Sequence, residues 1–152
     1  MKKNTIIIFI SFSLMAFNKK SPRYTLIKQG KVVIEKVYLA KTQQEIISGL
    51  SNIRDDEFTN TMALLFEFPE EAQLQFWMYN TFFDLDLIIL DKDLNIVGIE
   101  KKMKANPSIN KQDNFYTSQK YRGKYALEIK SKRKKNIDLK LGEKLSLRNY
   151  EK

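Results

Sequence analysis

The residues best suited to chemistry fall in one short stretch. Phe76-Trp77-Met78-Tyr79-Asn80-Thr81 sets the only tryptophan beside an amide and a hydroxyl, and Asp84 and Asp86 follow at once, before the apolar run 87–90. Farther along, Tyr125-Ala126-Leu127-Glu128 places another carboxylate in an apolar segment. One reading is a shallow ligand site: Trp77 and Tyr79 supply flat apolar surface while Asn80, Thr81, Asp86 and Glu128 orient polar groups. The competing reading is structural, a turn whose amide and hydroxyl satisfy the backbone while Asp86 accepts from nearby donors. The donors expected for Asp86 are amides of the 80–83 turn or a Lys or Arg, because a charge at the mouth of an apolar strand is costly without them.

Catalysis by paired carboxylates is the rival chemistry. Asp84 and Asp86, two residues apart, share a face of an extended chain, and two carboxylates can divide acid and base roles as glycoside hydrolases require. Asp91, Asp93 and Asn95 have the residue types that open a calcium loop, but the downstream Gly and bidentate Glu are missing, so a hairpin turn is the better reading. No metal site and no cofactor is assigned.

The chain has neither Cys nor His. That excludes disulfide frameworks, thiol nucleophiles and zinc sites built on imidazole or thiolate. It also excludes Ser-His-Asp and Cys-His catalysis. Any reaction here must use carboxylates, Lys, Tyr, Ser, Thr or a hard metal held by oxygen, and the residue inventory leans away from an enzyme. With 152 residues, 43% hydrophobic and 30% charged, the composition suits one folded domain with one core.

Residues 1–22 read as a signal peptide or N-terminal anchor. Lys2 and Lys3 precede an apolar and hydroxyl stretch over 5–17, which Asn18-Lys19-Lys20-Ser21-Pro22 ends. The stretch is shorter than the ~20 residues of a membrane span and suits an export signal. It lacks a good small-residue cleavage pair and the Cys of a lipoprotein. The expected location is therefore exported, periplasmic or at the cell envelope. The first 17 residues should add nothing to the folded core.

The net charge of +9 is uneven: residues 1–118 hold 15 basic against 14 acidic side chains, and 119–152 hold 12 against 4. The densest run is Lys130, Lys132, Arg133, Lys134 and Lys135. Since 22 of the 27 basic residues are Lys, which lacks the guanidinium fork suited to phosphate recognition, no nucleic-acid partner is assigned. The run reads as a solvated turn, with contact to an anionic membrane surface as the alternative.

The elements that must position these residues are mostly strands. Runs at 24–27 and 32–39 are β-branched and aromatic around Gln29-Gly30. In the second, Val33, Val37 and Leu39 face one way and Val32, Ile34 and Tyr38 the other, as in a strand buried on both sides. Thr42-Gln43-Gln44-Glu45 is a capping box. It opens one short helix near 42–50, with Ile46, Ile47 and Leu50 apolar and Gly49 closing it. Residues 52–60 read as a loop. Further strands are expected at 62–68 (stopped by Pro69), 75–78, 85–90, 94–100, 125–130 and 144–147, with a hairpin at 91–93, a surface loop over 101–114 and a turn or short helix at 131–137. As part of a strand at 75–78, Trp77 is expected to be mostly buried with one edge exposed. The predicted fold is mainly β, a compact β-sandwich or jelly-roll-like barrel forming a single domain over 23–152.

These residues also resemble the domain of unknown function family 192. The resemblance rests on Gly49-Leu50, Ala63-Leu64-Leu65-Phe66-Glu67-Phe68, Phe76 to Thr81 and Leu85-Asp86, then on Asp91 to Leu94, Pro107, Tyr125-Ala126-Leu127-Glu128, Asn136-Ile137 and Leu139 to Glu143. It implies a compact β-sandwich of jelly-roll type, often exported, and carries no catalytic residues over. Three departures stand out. Ser51-Asn52 replaces Met-Arg, leaving Arg54 displaced; Ala63 stands where Gly is frequent; and Asp84 replaces Pro, which makes it a poor choice as a required catalyst. If relatives pair that Arg with Asp86 or Glu128, the pairing is rearranged here. Together the residues point to an exported binding or accessory module of the cell envelope, taking an unknown small molecule or envelope component. The runner-up is a carboxylate-dependent hydrolase acting on an envelope or carbohydrate substrate, and a purely structural envelope protein is the third reading.

Overall fold

The computed structural model describes residues 20–108, 116–132 and 137–151. The export segment over 1–19, Arg133 to Lys135 and part of the loop predicted over 101–114 lie outside the described residues.

Among the described residues seven strands and one short helix follow in the order β1 (Tyr24–Lys28), β2 (Lys31–Ala40), α1 (Gln43–Ser48), β3 (Met62–Leu74), β4 (Leu85–Leu90), β5 (Ile96–Met103), β6 (Tyr121–Lys130) and β7 (Leu145–Asn149). The mainly β fold with one short helix is thus the fold the chain adopts. Its strands form one seven-stranded sheet in the order β5-β4-β6-β3-β2-β1-β7. Every pairing is antiparallel except β2 with β3, whose parallel crossover carries α1. The sheet is not closed. Its two edges are tied at one end by the Asn95–Lys144 bridge and by the Ile96 amide donating to the Glu143 carbonyl at 2.8 Å. Among the described residues no helix is long and apolar enough to cross a membrane.

Because side chains alternate along a strand, the sheet builds one core on each face. One holds Leu26, Ile34, Val37, Leu65, Ile88, Leu90, Ile96, Leu127 and Ile129. The other holds Tyr38, Leu64, Phe66, Leu85, Leu87, Ile89 and Ala126, with Leu50 and Phe58 from the segment after α1 and Met78 and Phe83 from the segment before β4. The alternation expected in β2 needs one correction. Ile34 joins Val37 in the first core and not Tyr38, because β2 has an extra residue between its pairings Leu26↔Ile34 and Tyr24↔Val37, and such a bulge reverses which face each side chain takes.

Two more expectations change. Pro69 does not stop β3, which continues to Leu74. The register jumps from Glu67↔Tyr125 to Ala72↔Gly123, so Pro69, Glu70 and Glu71 bulge out where no ladder amide is needed. Residues 75–78 are not a sheet strand either. They form a separate arm that pairs Trp77 with Thr117. By contrast β4 and the loop over 52–60 fall where the sequence puts them. The capping box is formed as well: Glu45 N donates to Thr42 Oγ1 at 3.3 Å and Thr42 N donates to Glu45 Oε2 at 3.0 Å. At the hairpin, Asp91 Oδ1 accepts from the amides of Asp93 and Asn95 at 2.8 and 2.9 Å, closing a turn.

Candidate functional site

The five residues singled out in the sequence do not gather at one point. β6 is paired with β4 so that Glu128 lies opposite Leu87 and Ile129 opposite Asp86. One step along a strand turns a side chain to the other face, and Asp86 and Glu128 therefore point in opposite directions. Glu128 lies on the face of Leu64 and Leu87. Asp86 lies on the face of Ile129.

Asp86 is half-buried and satisfied. Its Oδ1 accepts from the Lys102 amide at 2.8 Å and from Ser131 Oγ at 2.6 Å. Lys102 stands at φ +59 where the β4–β5 register slips between Leu85↔Met103 and Leu87↔Glu100, so the carboxylate takes up an amide that this bulge frees from the ladder. Neither the 80–83 turn nor a Lys or Arg side chain is the donor found. Asp84 is bound elsewhere: the Ala105 amide, then the Lys104 ammonium, hold its carboxyl below its usual range.

Asn80 and Thr81 are buried in a turn that is locked to the segment after α1. Asn80 Nδ2 donates to Asn52 Oδ1, Asn52 N donates to Asn80 O at 3.0 Å, and Ser51 Oγ donates to Tyr79 O at 2.7 Å. Both asparagines take positive φ, 65° and 47°, a conformation that short amide side chains tolerate better than most. Thr81 exchanges backbone bonds with Asn106 at 3.0 and 2.9 Å.

Glu128 has different surroundings. It is 4% exposed, and its Oε2 is buried with no hydrogen-bond partner. Burial pushes its carboxyl up to about 8, since desolvation disfavours the charged form. Above it opens a groove of about 260 Å³. Its walls are 46–51 from α1 and the following turn, Phe66 and Phe68 of β3, the segment 73–77, Thr81 and Leu85, with Glu128 beside them. Gly49 closes α1 at φ +48, where a side chain would be strained; a Cβ there would lie 3.5 Å from the Phe66 ring.

Two large apolar side chains stand open at this groove, Ile47 at 59% and Trp77 at 55% exposed. The indole is therefore more exposed than its sequence context predicts. The physical reason is the arm: Met78 N donates to Tyr116 O, Ser118 N to Phe76 O and Phe76 N to Ser118 Oγ, all at 2.8–2.9 Å. Phe76 turns inward against Phe66 and Phe68 with edge-on ring contacts, and Trp77, one residue on, turns out. Tyr79, which the sequence reading set beside Trp77, is not on the groove wall.

Of the candidate residues the structure thus brings together Trp77, Thr81 and Glu128 on the lining, buries Asn80 off it, and sends Asp86 to the other face. Among the described residues the groove lining holds a single carboxylate, so they assemble no two-carboxylate pair of the kind a hydrolase would use. Sequence reasoning missed Ile47, Ser51 and Gln75 as groove residues. The one available signal was Ile47 itself, an isoleucine beside Ile46 on a six-residue helix too short to bury both. Arg54 pairs with Asp56 and Glu57 at the surface and reaches neither Asp86 nor Glu128. In the basic run, Lys130 Nζ donates to the Asp55 carbonyl and carboxylate at 2.7 and 2.8 Å and lies 4.8 Å from the Phe83 ring centre, whereas Lys132 is exposed.

Fold and site together define an open, mainly β domain with an apolar groove beside a buried acid. The chain belongs to the DUF192 family, described as "Uncharacterized ACR", whose pattern matches residues 25–147. It is similar in structure to a protein of Sinorhizobium meliloti 1021 described as a proposed transcription regulator, with a TM-score of 0.66 and 25% identity over 84% of this chain and 94% of that one. It is also similar to a protein of unknown function from Novosphingobium aromaticivorans DSM 12444, with a TM-score of 0.63 and 22% identity over 82% and 83% of the two chains. No curated protein matches the chain.

Proposed function

We propose that this chain is a binding module that takes a small amphipathic molecule in the groove beside Glu128, and that it works at the cell envelope. The observation that carries the binding reading is the unpartnered Oε2 of Glu128, buried next to a groove with an exposed Trp77 at its rim. Leaving a buried acceptor unmade costs about 1–3 kcal/mol, and a ligand that supplied the missing partner would recover it. Apolar walls with a few convergent polar groups are the usual make-up of a small-molecule site. The envelope assignment rests on Lys2, Lys3 and the apolar stretch over 5–17.

A neutral fluorescent amphiphile such as N-phenyl-1-naphthylamine tests the binding reading. Saturable binding to the wild type, lost in Trp77→Ala with the fold retained, is expected. Unchanged affinity in Trp77→Ala, or no saturable binding at all, would refute it. Cell fractionation of the full chain beside one starting at Ser21 tests location; the same compartment for both would refute the envelope assignment.

A further inference from the structure

The chemistry of the groove narrows the ligand further. Among the described residues Glu128 is the only ionisable side chain on the lining, and no Lys or Arg is among them. An anionic ligand would meet a carboxyl and no cation. Of the polar side chains beside it, which also include Ser48 and Gln73, three have already used a donor elsewhere: Ser51 Oγ donates to Tyr79 O at 2.7 Å, Thr81 Oγ1 to Tyr79 O at 3.3 Å, and Gln75 Nε2 to Ser118 O at 3.0 Å. What they keep for a ligand is mainly lone pairs. A groove that offers acceptors suits a head group made only of donors, and an ammonium is such a group.

The aromatic walls favour the same charge. Phe66, Phe68, Phe76 and Trp77 all line the groove, and ring faces attract cations, most strongly once water is removed. We infer that the groove takes an organic cation, an alkyl- or arylammonium whose head pairs with Glu128 while its apolar body lies between Ile47 and Trp77. This rests on the binding reading above.

The pairing has a consequence for protons. Burial keeps the Glu128 carboxyl protonated at neutral pH in the free protein. An arriving cation favours the carboxylate, so the proton leaves Glu128 for solvent as the ammonium binds. On the same face Glu100 stands opposite Leu87, as Glu128 does, and accepts from the Tyr116 and Tyr121 hydroxyls; Tyr38 and the Lys130–Asp55 pair also lie around this core, and none of these groups is on the groove lining. Lys130 is held by the Asp55 carbonyl and carboxylate, so its ammonium is already taken.

Three probes with one body and different heads test the inference on the full chain at pH 7: 3-phenylpropylammonium, 3-phenylpropan-1-ol and 3-phenylpropionate. Calorimetry in two buffers of different ionisation heat counts the protons released. The ammonium should bind at least about 30-fold more tightly than the alcohol or the carboxylate and release a proton, and Glu128→Gln should remove that preference, in line with the cost of stranding one partner of a buried charge pair. Alcohol binding as tight as the ammonium, or ammonium binding without proton release, overturns the cation inference while leaving the binding module standing. If none of the three binds, the cation inference falls, and the titration with the neutral amphiphile decides whether the binding module stands. The proton count on the wild type keeps the test decisive even if Glu128→Gln does not fold.

Discussion

Asp86 and Glu128 sit on neighbouring strands, one step apart in register, and lead opposite lives. Asp86 enters its strand at the mouth of one core and collects an amide and a hydroxyl. Glu128 points into the other core and leaves an oxygen bare. The face of Asp86 is closed mainly by strand residues, with Leu139 from the segment before β7, whereas the face of Glu128 is covered by α1 and irregular segments that leave a groove. The lesson is that a satisfied buried acid supports a fold, while an orphaned one beside a groove marks a place left for something else.

The largest effect that can break this contrast is on stability as pH changes. Glu128 has a folded value of about 8 against an ordinary 4.5. Between those two the folded state holds a proton that the unfolded state has lost, so stability falls as pH rises, by about 1.4 kcal/mol per unit, and levels off above the folded value. Summed over that window the loss is on the order of 5 kcal/mol. Urea melts from about pH 5 to about pH 8 should show this slope in the wild type and lose it in Glu128→Gln. Parallel curves for the two proteins would mean that Glu128 has donors or solvent.

Next in size is Asp86. Removing it with Asp86→Ala strands the Lys102 amide and Ser131 hydroxyl and should cost about 1–3 kcal/mol. Asp86→Asn should cost less because it keeps one acceptor. Neither should alter binding of the fluorescent amphiphile. Lost binding with stability intact would move Asp86 into the site and erase the distinction between the faces.

The wall of the groove gives a smaller effect. Thr42→Ala removes the cap of α1 and should cost about 1 kcal/mol in thermal or urea melts. Its partner Glu45 has an acid-side signature. Burial raises the Glu45 carboxyl, but the Lys20 ammonium and the amides of Lys41 and Thr42 outweigh it and hold the group at about 2. That contribution is complete above an ordinary value of 4.5 and is lost as pH falls towards 2. Glu45→Gln should therefore flatten the acid limb of the stability curve. The smallest stability effect belongs to Trp77→Ala, under about 1 kcal/mol for a side chain this exposed, although it should abolish binding. A loss of about 3–5 kcal/mol would instead show an indole packed like a core residue.

What could be read from the sequence follows the range of the interactions. Local signals held: the capping box at Thr42 and Glu45, the turn at Asp91 and the run 85–90 each depend on residues close in sequence, as does the mainly β character. Register did not show. Extra residues in β2 and β3 move the alternation by one face or push Pro69 out of the ladder, and no local pattern signals them. The same limit governed the site. Trp77 and Glu128 were legible as residue types, but that Trp77 sits on an outlying arm, and that Glu128 and Asp86 part company, follow from pairings with segments more than 30 residues away.

The difference between the two faces comes down to the state of one carboxyl, and NMR of the Glu128 side-chain carbon across a pH titration reads it directly. The expected midpoint is about 8 in the free protein, moving downward when the phenylpropylammonium probe is added. A midpoint in the ordinary carboxylate range without ligand would show a solvated, partnered acid, and the groove beside it would no longer be a site waiting for a donor.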